Sequence, residues 1–134
     1  MLWRIETSLR RDVEDVIGRR VAAGVVKTLG LPVTSARIVK VFTAAGLEKA
    51  EVEQAMAAAA LHDPVSQRAS LTPLAQPEDF DWAIEAGFRP GVTDNEGRTA
   101  RDTLAMCLGL PAERTKDLKV YTSVQYLLRG EDRK

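Results

Sequence analysis

The 134 residues carry 19 Lys and Arg against 19 Asp and Glu, a formal net charge of zero, and this argues against a dedicated nucleic-acid binder, which needs a cationic excess to neutralise phosphates. One Cys and one His exclude an internal disulfide and a Cys/His zinc site, and no apolar run approaches the ~20 residues of a membrane-spanning helix. Hydrophobic residues at 45% and charged residues at 28% are globular usage and exclude a disordered chain.

The chain opens on a strand. In Leu2–Arg10, Trp3, Ile5, Thr7 and Leu9 alternate with Arg4, Glu6, Ser8 and Arg10. Period-two alternation predicts an antiparallel sheet with one wet face. This charged, strand-like start does not read as a secretory signal, so a cytoplasmic domain is expected. Asp15 is the expected N-cap of a helix, because its carboxylate can accept bonds from free amides at the positive end of the helix dipole. Ile17, Val21, Val25 and Leu29 follow at four-residue spacing and predict its core stripe. Leu29-Gly30-Leu31-Pro32 predicts the stop: Gly in the left-handed position, Leu packing back, Pro forbidding continuation.

Residues 36–43 read as a second strand, Leu47–Leu61 as an Ala-rich helix and Val65–Thr72 as a short strand. Pro73-Leu74-Ala75-Gln76-Pro77 reads as a linker. Asp81–Arg89 then alternates like the first strand, and Arg89-Pro90-Gly91 has turn chemistry. Asp94 caps the next helix, with Ala100, Leu104, Cys107 and Leu108 expected inside. Leu108-Gly109-Leu110-Pro111 ends it, and Leu118–Leu128 is the last predicted strand.

These two runs are alike. With an offset of 79 residues, 3–43 align with 82–122 without a gap, and 15 of 41 pairs are identical. Roughly two or three would arise by chance at average residue usage. The identities include Trp3/Trp82, Asp15/Asp94, Gly18/Gly97, Arg19/Arg98, Pro32/Pro111 and Thr43/Thr122. A duplication is expected, with β-α-β-α-β in residues 1–78 and a truncated β-α-β in 79–134. The expected fold is α+β, with helices on one face of an antiparallel sheet in ferredoxin-like tandem units forming one compact domain.

No catalytic constellation emerges. Phosphate-loop and dinucleotide fingerprints are absent from the sequence. Gly18 and Gly97 sit at helix starts where an anion could bind, but the capping carboxylates oppose it. Asp15/Arg19 and Asp94/Arg98 have the spacing of helix-surface ion pairs. Cys107 reads as a buried inert thiol and His62 as a solvated loop histidine.

The block Phe88-Arg89-Pro90-Gly91-Val92-Thr93-Asp94-Asn95-Glu96-Gly97-Arg98-Thr99-Ala100, closing in Val120–Leu128, resembles the N-terminal region of large formylglycinamidine ribonucleotide (FGAM) synthases. The first unit, through Leu61-His62-Asp63-Pro64-Val65-Ser66-Gln67, is similar to the small PurS subunit of that enzyme. The resemblance implies a non-catalytic assembly domain of a glutamine-dependent ligase in purine biosynthesis. Its partners would be a PurL-type synthetase and a PurQ-type glutaminase. No cofactor is then expected on this domain, with ATP and Mg on the synthetase. Asp15, Gly18, Arg19, Arg89, Pro90, Gly91, Asp94, Gly97 and Arg98 become the candidate interface and structural residues. Arg11-Asp12 departs from Pro90-Gly91, and the second unit lacks the last helix and strand of the first. A piece of a longer chain, or a homo-oligomer pairing its open edges, is therefore expected. The alternative is a free-standing ACT-like module binding a small metabolite between the units. A nucleic-acid-binding ferredoxin-like domain would want exposed aromatics, which are only 5% of the chain.

Overall fold

The computed structural model describes residues 2–30, 32–75, 80–88 and 93–130. Their elements run β1 (Leu2–Leu9), α1 (Val16–Leu29), β2 (Val33–Ala45), α2 (Lys49–Ala57), β3 (Gln67–Ser70), β4 (Trp82–Gly87), α3 (Asn95–Leu108), α4 (Ala112–Asp117) and β5 (Lys119–Gly130). The strands form one antiparallel sheet in the order β3-β1-β2-β5-β4. Helices pack on one face, giving an α+β two-layer sandwich. Among the described residues no helix is long and apolar enough to cross a membrane.

The glycines end the two helices as expected, while Leu31 of the first stop lies outside the described residues. Gly30 and Gly109 adopt φ of 66° and 63°, the left-handed region that side chains with a Cβ disfavour. After Gly109 the amide of Leu110 donates to the Ala105 carbonyl (2.9 Å), and its side chain packs on the main core. Pro111, expected only to end a helix, also starts one: it is the N-cap of α4, a short helix that the sequence reading did not anticipate.

Two apolar clusters share the helix-covered face. The larger joins Ile5, Phe42, Ala44, Leu118 and Val120 of the sheet region to Val52 and Ala55 of α2 and Ala100 and Leu104 of α3. The smaller joins Ala22 of α1 to Val33, Ala36 and Leu128. The expected stripe on α1 is corrected here. Its buried positions are Gly18 and Ala22, while Ile17 and Leu29 are each 64% exposed. Glycine and alanine face the sheet because the helix lies too close to the strand for larger residues. In α3, Ala100 and Leu104 are buried as expected, but Cys107 is exposed rather than an interior thiol.

The wet face expected on β1 is also corrected. Glu6 and Ser8 are buried beside Ile5 and Thr7. The reason is topological: β3 and β4 lie at opposite edges of the sheet, so the chain joining them must cross it. Leu74, in the predicted linker, donates its amide to Glu6 Oε1 (2.9 Å). Ala75 and Phe80 pack on Val39, Val41 and Leu127 of the same face. The Glu6 charge is neutralised there by Arg4 Nε at 2.9 Å, and Arg4 also makes a two-point contact with Glu85 (2.7 and 3.0 Å). A buried carboxylate survives only with such partners.

The strand registers relate the two halves of the sheet by a local two-fold. Trp3, Ile5 and Thr7 face Ala44, Phe42 and Lys40, while Trp82, Ile84 and Ala86 face Leu128, Tyr126 and Val124. Thus Ala44 in β2 and Leu128 in β5 hold the same place, as do Lys40 and Val124. Between β2 and β5, Lys40 pairs with its own counterpart Val124. On either side Ala36 faces Leu128 and Ala44 faces Val120, the reciprocal pattern of a two-fold contact. With the 79-residue offset α1 and α3 coincide from end to end and Trp3 of β1 falls on Trp82 of β4, but β2 and β5 are out of step with it. With α4 inserted, Val120 stands where Ala36 stands, not where Val41 does.

Candidate functional site

The same device is built at the start of α1 and of α3. Asp15 Oδ1 accepts the Gly18 amide (2.7 Å) and Oδ2 accepts the Ile38 amide (2.9 Å), tying the helix to β2. Asp94 Oδ1 accepts the Gly97 amide (2.8 Å) and Oδ2 accepts the Thr122 amide (2.6 Å), tying α3 to β5. The Thr122 hydroxyl adds a bond to Asp94 Oδ1 at 2.8 Å. Each carboxylate thus bolts a helix to a strand as well as capping it. The glycines follow from this closeness. A Cβ on Gly18 would lie 2.2 Å from the Ala36 carbonyl oxygen, and one on Gly97 2.4 Å from that of Val120.

Beside each bolt lies an open cleft. The first, about 590 Å³, is bordered by Ser8, Asp15, Arg19, Ala36, Arg37 and Leu127. The second, about 710 Å³, is bordered by Gly87, Asp94, Arg98, Val120, Tyr121 and Thr43. These are the same six places under the local two-fold. Their chemistry differs. The Arg37 guanidinium is spent on the carbonyls of Leu9 (2.9 Å), Arg10 (2.6 Å) and Val13 (3.1 Å), whereas its counterpart Tyr121 is exposed. Among the described residues no three His, Cys, Asp or Glu side chains gather to hold a metal ion.

The expected helix-surface pairs do not form. Arg19 pairs with Glu14 instead of Asp15. Asp94 is engaged by Gly97 and Thr122, and Arg98 makes no ion pair with it among the described residues. Both carboxylates are turned inward to cap the helix and hold the strand amide, rather than outward to an arginine one turn on. Arg89, Pro90 and Gly91 lie outside the described residues. Sequence reasoning aligned Thr122 with Thr43 as its equivalent in the repeat and so missed it as the Asp94 partner. It also missed Lys40, which pairs with Glu96 at the start of α3. Burial lowers the Lys40 pKa, a pull opposed by Asp94.

Burial opposes the charge of Asp94, but the amides of Thr122 and Gly97 and the Thr122 hydroxyl outweigh it and hold its pKa below the ordinary aspartate range. A depressed folded-state pKa stabilises the fold above the unfolded value of about 3.9, and the gain disappears as pH falls through the folded value. Asp94→Asn is therefore expected to cost ~1–3 kcal/mol at pH 7, with the gap to the parent closing below about pH 4. Urea unfolding at pH 7 and pH 3 measures both; a gap of equal size at pH 3 contradicts the carboxylate's role.

No protein-family model, curated protein or solved structure matches the chain.

Proposed function

We propose that the chain is a non-catalytic assembly domain of an ATP-dependent FGAM synthase, bridging a PurL-type synthetase and a PurQ-type glutaminase in the cytoplasm. The observation that supports this reading best is the β2–β5 pairing, which fuses two β-α-β units about a local two-fold into one sheet. A PurS-type dimer replaced by a single chain carrying two such units calls for this arrangement. The Asp15 and Asp94 bolts fix the helix of each unit to its own strand, and the β2–β5 ladder joins the units, as a scaffold between larger partners requires. The test is co-purification of the tagged chain with PurL-type and PurQ-type proteins, with ATP, Mg and glutamine present. Retention of both partners is expected; failure to retain either, with or without the small molecules, contradicts the reading.

The paired clefts favour one second reading, a small-metabolite regulatory module, because 590 and 710 Å³ fall in the size range of ligand sites. A thermal-shift screen of amino acids and nucleotides separates the two. A specific ligand at 100 times its Kd adds ~2.7 kcal/mol of stability, whereas a scaffold gives a flat response.

A further inference from the structure

The local two-fold leaves one half of the sheet covered and the other open. In the first half α2 lies over Ile5, Phe42 and Ala44, flanked by Ala100 and Leu104 of α3, and β3 pairs with the outer edge of β1. The counterparts in the second half are Ile84, Tyr126 and Leu128, flanked by Val21 and Val25 of α1. Leu128 is buried under α1 and Tyr126 half-buried beside it, but among the described residues no counterpart of α2 covers Ile84, and β4 is the edge strand. Exposure records the difference: Ile5 is 1% exposed and Ile84 53%.

The flanking helix differs in the same sense. Where α3 borders the end of α2, it presents Asn95 and Glu96. The α1 residues at those places are Val16 and Ile17, both exposed. Leu108 of α3 packs on the main core, whereas its counterpart Leu29 is exposed. Val16, Ile17 and Leu29 of α1 and Trp82 and Ile84 of β4 are thus exposed apolar residues on the two elements that flank the groove left where the first half has α2. An isolated exposed apolar residue is ordinary, but five of them on the two elements beside an open strand edge point to an interaction surface.

We infer that this groove takes a partner polypeptide presenting an amphipathic helix followed by a strand, the helix lying over Ile84 and Tyr126 and the strand pairing antiparallel with β4. The first half supplies the template. There α2 offers a stripe of small and flexible apolar residues, Val52, Ala55 and Met56, and β3 adds Gln67–Ser70 to β1. A tryptophan stands at the mouth in both halves, although Gly46 takes a φ of 103° and Gly130 does not share that left-handed conformation. Trp3 donates its indole N–H to the Leu47 carbonyl (2.8 Å), beside Gly46. Trp82 packs against Gly130, the counterpart of Gly46, so closely that a Cβ there would lie 2.7 Å from the ring. A helix entering beside Gly130 would meet Trp82 as α2 meets Trp3. This holds whether or not the chain serves an FGAM synthase.

The probe is a synthetic peptide of residues 47–72, the segment that covers the matching face, titrated into the intact chain by calorimetry. Saturable binding is expected, with slowed hydrogen exchange at the 82–87 amides. Ile84→Asp and Leu29→Asp, both at exposed positions that leave the fold intact, should each weaken it about tenfold or more. Absence of saturable binding, or binding indifferent to both substitutions, overturns the inference. So does a dimer whose 82–87 amides are protected without peptide, because a second copy then fills the groove.

Discussion

Gly18→Ala is expected to destabilise the chain by about 3 kcal/mol and lower Tm by roughly 10 °C. The added methyl meets the Ala36 carbonyl oxygen at 2.2 Å, and the obstacle is backbone in β2, which is held by β1 on one side and β5 on the other. Neither helix nor strand can yield without loosening the Asp15 bolt. Gly24, two turns along the same helix, has open space around it. Gly24→Ala is therefore expected to stabilise by ~0.5–1 kcal/mol, the ordinary helix-propensity gain. Thermal unfolding of the two variants reads opposite signs from one substitution in one helix. A loss below about 1 kcal/mol at Gly18 would show that the helix–strand approach is looser than described.

Leu104→Ala is expected to cost about 3–4 kcal/mol, because Leu104 is fully buried among the sheet, α2 and α3 and its loss leaves a cavity. Its counterpart Val25 occupies the same place on α1, yet it is only partly buried. Val25→Ala is expected to cost about 1 kcal/mol or less, since fewer contacts are lost and alanine is the better helix former. Denaturant midpoints at constant m value give both numbers. Equal costs at the two positions would mean that the α1/β4 side is closed in solution, and the groove would not exist.

Where local chemistry decides an element, the sequence was readable. Asp15 and Asp94 cap helices, Gly30 and Gly109 end them in the left-handed region, and the alternating strands join an antiparallel sheet. The strand repeat was misread where Leu110-Pro111 looked like a full stop. Proline fixes a φ that suits a helix start, so α4 begins there and shifts every later residue against its expected partner. Burial was the least legible property. Ile17 and Leu29 have core chemistry and core spacing, yet both stand exposed. Glu6 and Ser8 have surface chemistry, yet Leu74 and the crossing chain cover their face. Neither outcome is written in the local pattern, because both depend on what a distant segment covers. The capping carboxylates were identified, but not their second bonds to Ile38 and Thr122, since those need the helix–strand distance that only the fold supplies.

The two-fold join between β2 and β5 is tested most directly by NMR cross-strand contacts on isotopically labelled protein. The account predicts Lys40 opposite Val124, with Ala36 opposite Leu128 and Ala44 opposite Val120. Contacts at any other register, or no pairing between residues 33–45 and 119–130, would contradict it.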